Sequence, residues 1–237
     1  MRLDLAARRC SKDDGREYSL RIMKSPRAEQ PLAVRITHWA NVPLLAVMAA
    51  SGLQILAAFP EMGRKGAPAR WYPLQGWIPP SWMRAGGWLA GARHLHFGLA
   101  WLFVANALVY LIWMAVTGEW RRRAFQPGRD GRNAVQTLAW YLRLRRSPPE
   151  QELYNGLQRL AYTLAIVLGA VEVLSGLALY KPVQLSLIAA LFGGYEGARA
   201  VHLLGLAALL AFTVGHLVLV LLHPRALASI FTGGRRA

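Results

Sequence analysis

Four long apolar runs, near residues 33–59, 88–117, 157–180 and 199–222, constrain this 237-residue chain more than any other feature. Each can cross a hydrocarbon core of about 30 Å, which takes roughly 20 helical residues. In lipid every backbone polar group must be satisfied inside the spanning structure, so the runs are helices or the strands of a closed barrel. Barrel strands show an alternation of period two over about ten residues, and none of these runs alternates. The expected fold is all-α: an integral-membrane four-helix bundle, multi-pass in a lipid bilayer.

Charge then orients the bundle. The chain carries a formal net charge of +16 although 54% of it is hydrophobic, and the two properties occupy different segments. Of the 28 Lys and Arg residues, 21 lie in the N-terminal arm, the starts of the first and third runs, the 119–152 connection and the tail, and seven lie on the other side. The positive-inside bias puts both termini in the cytoplasm. Residues 1–32 read as a loosely ordered basic arm, too polar for a cleaved signal peptide. Residues 33–224 form the four-span domain and 225–237 a cytoplasmic tail. The positive charge is read as topology and lipid contact, and no nucleic-acid partner is expected. Cys10 is the only cysteine, which excludes an intrachain disulfide, a Cys-x-x-Cys redox pair and covalently attached haem.

The histidines carry the chemistry. His202 and His216 lie fourteen residues apart in the fourth run, so they share one helix face and stand about 21 Å apart along its axis. That is too far for one metal ion and suits two centres stacked across the membrane. The fourth span runs from the outer to the inner side. It therefore puts His202 level with His94 and His96, at the outer start of the second span, and His216 level with His38, at the inner start of the first. Two neutral imidazoles facing each other in an apolar bundle suit the axial positions of a b-type haem. Zinc or copper would want further ligands at each level.

Arg35, Arg93 and Arg199 each precede His38, His96 and His202 by three residues. Such an arginine shares the histidine's face one turn nearer the interface, where it meets a haem propionate or simply marks a helix start. The repeated spacing selects His96 over His94 as the outer ligand; His94 and His223 read as interfacial side chains. In the third span Glu172 is either a proton-handling group or a buried hydrogen-bond partner. Asn155 and Gln158, at its inner start, either bind a quinone carbonyl or cap the helix. The Trp- and Pro-rich outer segment between the first two spans reads as a headgroup-level anchor or a dock for a partner protein.

The stretches "RITHWANVPLLAVMAASG", "ARHLHFGLAWLFVANALVYLIW", "YNGLQRLAYTLAIVLGAVEVLSGL" and "ARAVHLLGLAALLAFTVGHLVLV" resemble successive spans of the bacterial di-haem cytochrome b superfamily. That group includes cytochrome b561, the Ni-Fe hydrogenase b-type subunit and the formate dehydrogenase gamma subunit. "WLFVANALVY", "YNGLQ" and "ALASIFTG" are most similar to the thiosulfate reductase cytochrome b subunit group. The resemblance covers about Arg35 to Gly233 and implies a bacterial inner-membrane location and two haem b groups on His38, His96, His202 and His216. It also implies a quinone pocket near Asn155, and a periplasmic, molybdopterin-dependent oxidoreductase as partner. The expected function is electron transfer in a respiratory chain, between the quinone pool and that partner. A stand-alone cytochrome b561 acting on a small molecule is the alternative within the class. A haem-free membrane anchor or a histidine-lined ion carrier is the alternative outside it.

Overall fold

The computed structural model describes residues 30–64, 67–149, 154–222 and 224–233. The N-terminal arm as far as residue 29, with Cys10, and also His223, lie outside the described residues. Four helices are long and apolar enough to span a membrane: α1 (Leu32–Ala58), α2 (Leu89–Thr117), α5 (Gly156–Tyr180) and α7 (Tyr195–Leu222). They coincide with the four apolar runs to within a few residues and form a four-helix membrane bundle. Their outward faces carry large exposed apolar side chains, such as Trp101, Ile112 and Val116 on α2 and Leu217 and Leu221 on α7. Such faces are stable against lipid and costly against water.

The bundle is two similar hairpins, α1 with α2 and α5 with α7. The offset that carries Ser51-Gly52 on α1 to Ser175-Gly176 on α5 also carries Arg35 to Arg159 and His38 to Tyr162. On the second helix of each hairpin, Gly91-Ala92-Arg93 and His96 correspond in the same way to Gly197-Ala198-Arg199 and His202. The correspondence is structural as well. Ala92 and Ala198 are both fully buried. A Cβ on Gly91 would run into the carbonyl of Gly86, and one on Gly197 into that of Phe192, the matching residue. Two glycine pairs with positive φ, Gly86-Gly87 and Gly193-Gly194, turn the chain into α2 and α7, where any other residue would be strained. The hairpins meet through Phe97 against Tyr180, with ring centres 4.7 Å apart, and through Arg199, which donates to the Phe59 carbonyl at 2.5 Å.

The connections hold more structure than the sequence reading assigned them. The 119–152 connection contains α3 (Trp120–Arg123) and α4 (Pro127–Tyr141), and the short α6 (Ser186–Leu191) lies between α5 and α7. Buried Asp130 accepts from Arg129 at 2.8 and 3.0 Å, from the Gln126 backbone N–H at 2.9 Å and from Arg159 on α5 at 2.9 Å. Arg123 is buried as well, donating to Glu119 at 3.0 Å with its guanidinium over the rings of Tyr154, Trp113 and Tyr162. The tail contains α8 (Pro224–Thr232), whose Phe231 lies against Trp39 with ring centres 4.5 Å apart. Both amphipathic helices escape a hydropathy reading: the apolar stripe of α4 is diluted by charge and Gly, and α8 has only nine residues.

The outer segment is folded too. A two-residue ladder, β1 (Gly63–Arg64) with β2 (Ala67–Pro68), and a 3-10 turn at Ser81–Met83 shape it. The Gln75 side chain accepts from Met62 N–H at 2.8 Å and donates to the carbonyls of Met62 and Ala69 at 2.9 Å. Met62, Tyr72 and Pro79 are buried beneath it, and Trp71, Trp77, Trp82 and Trp88 are exposed.

Candidate functional site

Histidines from different helices meet at two depths. At one end of the bundle His38 of α1 faces His216 of α7, with ring centres 6.0 Å apart and planes at 63°. At the other, His96 of α2 faces His202 of α7, with ring centres 6.2 Å apart and planes at 76°. Phe212 stacks on His216, nearly parallel to it, at 6.1 Å. Trp39 stands edge-on to His38 at 5.4 Å. His94 takes no part in either pair.

The hairpin repeat builds the outer pair. Ser51 Oγ lies 3.1 Å from His96 Nδ1, and Ser175 Oγ lies 3.0 Å from His202 Nδ1. A Cβ on Gly52 would stand 3.4 Å from His96 Cε1, and one on Gly176 would stand 3.3 Å from His202 Cε1. Each Ser-Gly pair is therefore a cradle: glycine makes room for an imidazole and serine holds its Nδ1. His96 Nδ1 also lies 3.0 Å from the Met48 carbonyl, which can only accept, so Nδ1 carries the proton and the lone pair stays on Nε2. His202 Nδ1 lies 2.9 Å from Glu172 Oε2. Glu172 is thus a hydrogen-bond partner of a site histidine, one of the two roles its sequence position left open.

This arrangement suits a metal centre whose remaining ligands arrive with it. A ligating imidazole nitrogen lies about 2 Å from its metal and roughly 1 Å from its own ring centre, so one metal between two imidazoles separates their centres by about 6 Å. Both pairs have that separation. Among the described residues no cluster of three or more His, Cys, Asp or Glu side chains stands ready to hold a bare ion. Two opposed imidazoles with an open equator fit a haem. The occupied Nδ1 atoms of the outer pair fit it further, because metal-bound imidazoles are oriented through their second nitrogen.

The remaining candidate residues have these partners. Arg35 donates through Nε to the Ile230 carbonyl at 3.1 Å and through its terminal nitrogen to the Phe231 carbonyl, closing the end of α8. Arg199, besides its bond to Phe59, lies 3.9 Å from Glu196. The Arg93 guanidinium sits 5.6 Å from the Phe97 ring centre. Asn155 and Gln158 form a reciprocal capping box at the start of α5: Asn155 Oδ1 accepts from Gln158 N–H at 2.8 Å, and Gln158 Oε1 from Asn155 N–H at 3.1 Å. Sequence reasoning passed over Arg84. Its Nε is buried with no hydrogen-bond partner among the described residues. The next residue, Ala85, donates to the Ala50 carbonyl at 3.1 Å, which puts the Arg84 backbone beside the Ser51 cradle. Its isolated position in an irregular segment gives it no sequence signature. The Ser-Gly and Gly-Ala-Arg repeats could have been found by comparing the two halves of the chain.

The family model for prokaryotic cytochrome b561 matches residues 29–233. A protein of Azospira oryzae, named provisionally as protein-methionine-sulfoxide reductase subunit YedZ1, is 36% identical over 206 residues, covering 87% of this chain and 96% of that protein. No solved structure matches the chain. The chain belongs to the prokaryotic cytochrome b561 family, and with it to the b-haem, multi-pass proteins of the bacterial inner membrane.

Proposed function

We propose that this chain is the membrane electron-transfer subunit of a two-part oxidoreductase, taking electrons from a quinol at the inner side and passing them to a partner enzyme at the outer side. The observation that carries the reading is the pair of facing imidazoles at each end of one bundle. His38 with His216, and His96 with His202, are the residues that would hold two b-type haems, which supply one-electron redox chemistry when bound. The chain's own work is positional. The Ser51-Gly52 and Ser175-Gly176 cradles set the outer imidazoles and keep the lone pair on Nε2. The apolar faces of α1, α2, α5 and α7 keep water away. Arg84, with its unpartnered Nε, is the residue best suited to a propionate at the outer level. The quinone pocket is proposed near Asn155 and Gln158, whose side-chain N–H groups are not used in the capping box.

The partner follows from the relative and from the outer segment. The relative's name refers to reduction of methionine sulfoxide in proteins. Reducing a sulfoxide to a thioether takes two electrons and two protons and releases water; oxidising one quinol to quinone supplies the same number of each. Electron flow from quinol to an oxidised-methionine reductase therefore balances. The resemblance to cytochrome b subunits of periplasmic oxidoreductases supports a periplasmic, molybdopterin-dependent partner. The folded segment between α1 and α2, with four exposed tryptophans, supports a protein dock over a small-molecule mouth.

The test is to add a soluble quinol to the purified protein in detergent and follow the visible spectrum, then to add the partner reductase and an oxidised-methionine peptide. The proposal expects b-type absorption to appear with quinol and to bleach only when partner and peptide are both present. A haem-bearing protein that no quinol reduces would overturn it.

A further inference from the structure

The two outer imidazoles are held through the same nitrogen by different acceptors. His96 Nδ1 is 3.0 Å from the Met48 backbone carbonyl and 3.1 Å from Ser51 Oγ. His202 Nδ1 is 2.9 Å from Glu172 Oε2 and 3.0 Å from Ser175 Oγ. The offset that carries Ser51 to Ser175 carries Met48 to Glu172. A carboxylate therefore stands in one hairpin where the other uses a peptide carbonyl, and the site is otherwise matched on its two sides.

The bundle is shaped around this carboxylate. Glu172 Oε1 is buried without a hydrogen-bond partner among the described residues. It lies against Gly205 of α7, where any Cβ would collide with it. Gly205 itself is buried, one turn along α7 from His202. An ionisable side chain inside a span is costly, and one with an unsatisfied oxygen more so. A serine hydroxyl already holds Nδ1 in both hairpins, so orientation alone does not require Glu172. What a carboxylate adds is a stronger pull on the Nδ1 proton, which raises electron density at Nε2 and makes His202 the stronger donor to a metal. A stronger donor favours the oxidised, more positive state of that metal.

We propose that Glu172 is a positioning residue that, acting through His202, holds the reduction potential of the outer haem below the value that a second carbonyl-held imidazole would give. This rests on the reading of His96 and His202 as haem ligands. It makes the outer site asymmetric by design, with His96 as its weaker and His202 as its stronger donor.

The experiment is an optical redox titration of the purified haem protein, wild type against Glu172→Gln, with haem content measured on each. Glutamine keeps the size and an acceptor oxygen and removes the carboxylate. At the wild-type outer midpoint, the variant's outer component is expected to show a reduced-to-oxidised ratio roughly tenfold higher, a shift of about 59 mV for one electron. The inner component, on His38 and His216, should not move, and the low-spin EPR signal of the outer component should shift. An unmoved outer midpoint with both haems present would overturn the proposal, and so would an equal shift of both components. If Glu172→Gln does not accumulate, Gly205→Ala forces the carboxylate off Nδ1 and carries the same expectations. Wild-type protein that folds without haem, or keeps its outer component in His202→Ala, would sink the ligand reading instead, so the two failures are distinguishable.

Discussion

Arg159, at the start of α5, donates to the Asp130 carboxylate of α4 at 2.9 Å with both side chains buried, and this bond joins the amphipathic α4 to the bundle. The hydrogen bond from Arg129, with the backbone N–H of Gln126 and the Arg159 charge, holds the Asp130 carboxyl down at about 2. The unfolded value is about 3.9, so the group's contribution is complete above that pH and is lost as pH falls toward 2. Asp130→Asn is expected to lower stability at pH 7 by about 2 kcal/mol, with the difference from wild type shrinking as the pH drops below 4. Thermal unfolding of the two proteins in detergent across pH 3 to 7 measures it. An equal difference at every pH would refute the charge-based account.

The glycine of each cradle leaves no room for branched side chains. Gly176→Val puts two methyl groups beyond a Cβ that already stands 3.3 Å from His202 Cε1, and overpacking of this kind costs about 1–3 kcal/mol. The expected result is selective loss of the outer haem with the inner one retained, and Gly52→Val should do the same through His96. Haem counts per chain with resolved midpoints check this. Loss of both haems together would mean that the bundle, not the cradle, had failed.

Arg35 tethers α8 by closing its last turn through the carbonyls of Ile230 and Phe231. Hydrogen bonds from a charged donor contribute about 1.5–3 kcal/mol, so Arg35→Ala should free α8 without unfolding the bundle. Hydrogen exchange of α8 should accelerate by one to two orders of magnitude on that scale, and the Phe231 contact should no longer report on Trp39 fluorescence. Unchanged exchange in α8 would show that the aromatic contact alone holds it.

Arg84→Gln tests the propionate role. The expected outcome is outer haem that is still bound but lost faster to an apo-acceptor protein, with inner-haem loss unchanged. A loss rate equal to that of wild type would leave Arg84 as packing only.

The parts of this protein that were legible in the sequence are those governed by hydropathy and spacing. Four spans follow from run length, and the depth matching of His38 with His216 and of His96 with His202 follows from helix direction, then reappears as ring distances of 6.0 and 6.2 Å. What holds those rings was not legible, because the Met48 carbonyl is a backbone atom that any residue could present. The arginine spacing gave two readings, and folding used Arg35 and Arg199 to satisfy carbonyls of distant segments. Asn155 and Gln158 were equally double-edged, and the capping box they form is a local interaction that was open to recognition. The helices α4 and α8 went unread because neither is apolar enough to register as a span. Glu172 was visible as an anomaly; only the meeting of α5 and α7 supplied its partner.

The most direct test of the central claim is a haem count. Protein purified in mild detergent would be assayed as its pyridine haemochrome and by reduced-minus-oxidised spectra, for wild type and His202→Ala. The account predicts two b-type haems per chain in the wild type and loss of the outer one in the variant. A well-folded wild-type protein without haem, or a His202→Ala variant that keeps both, would contradict it.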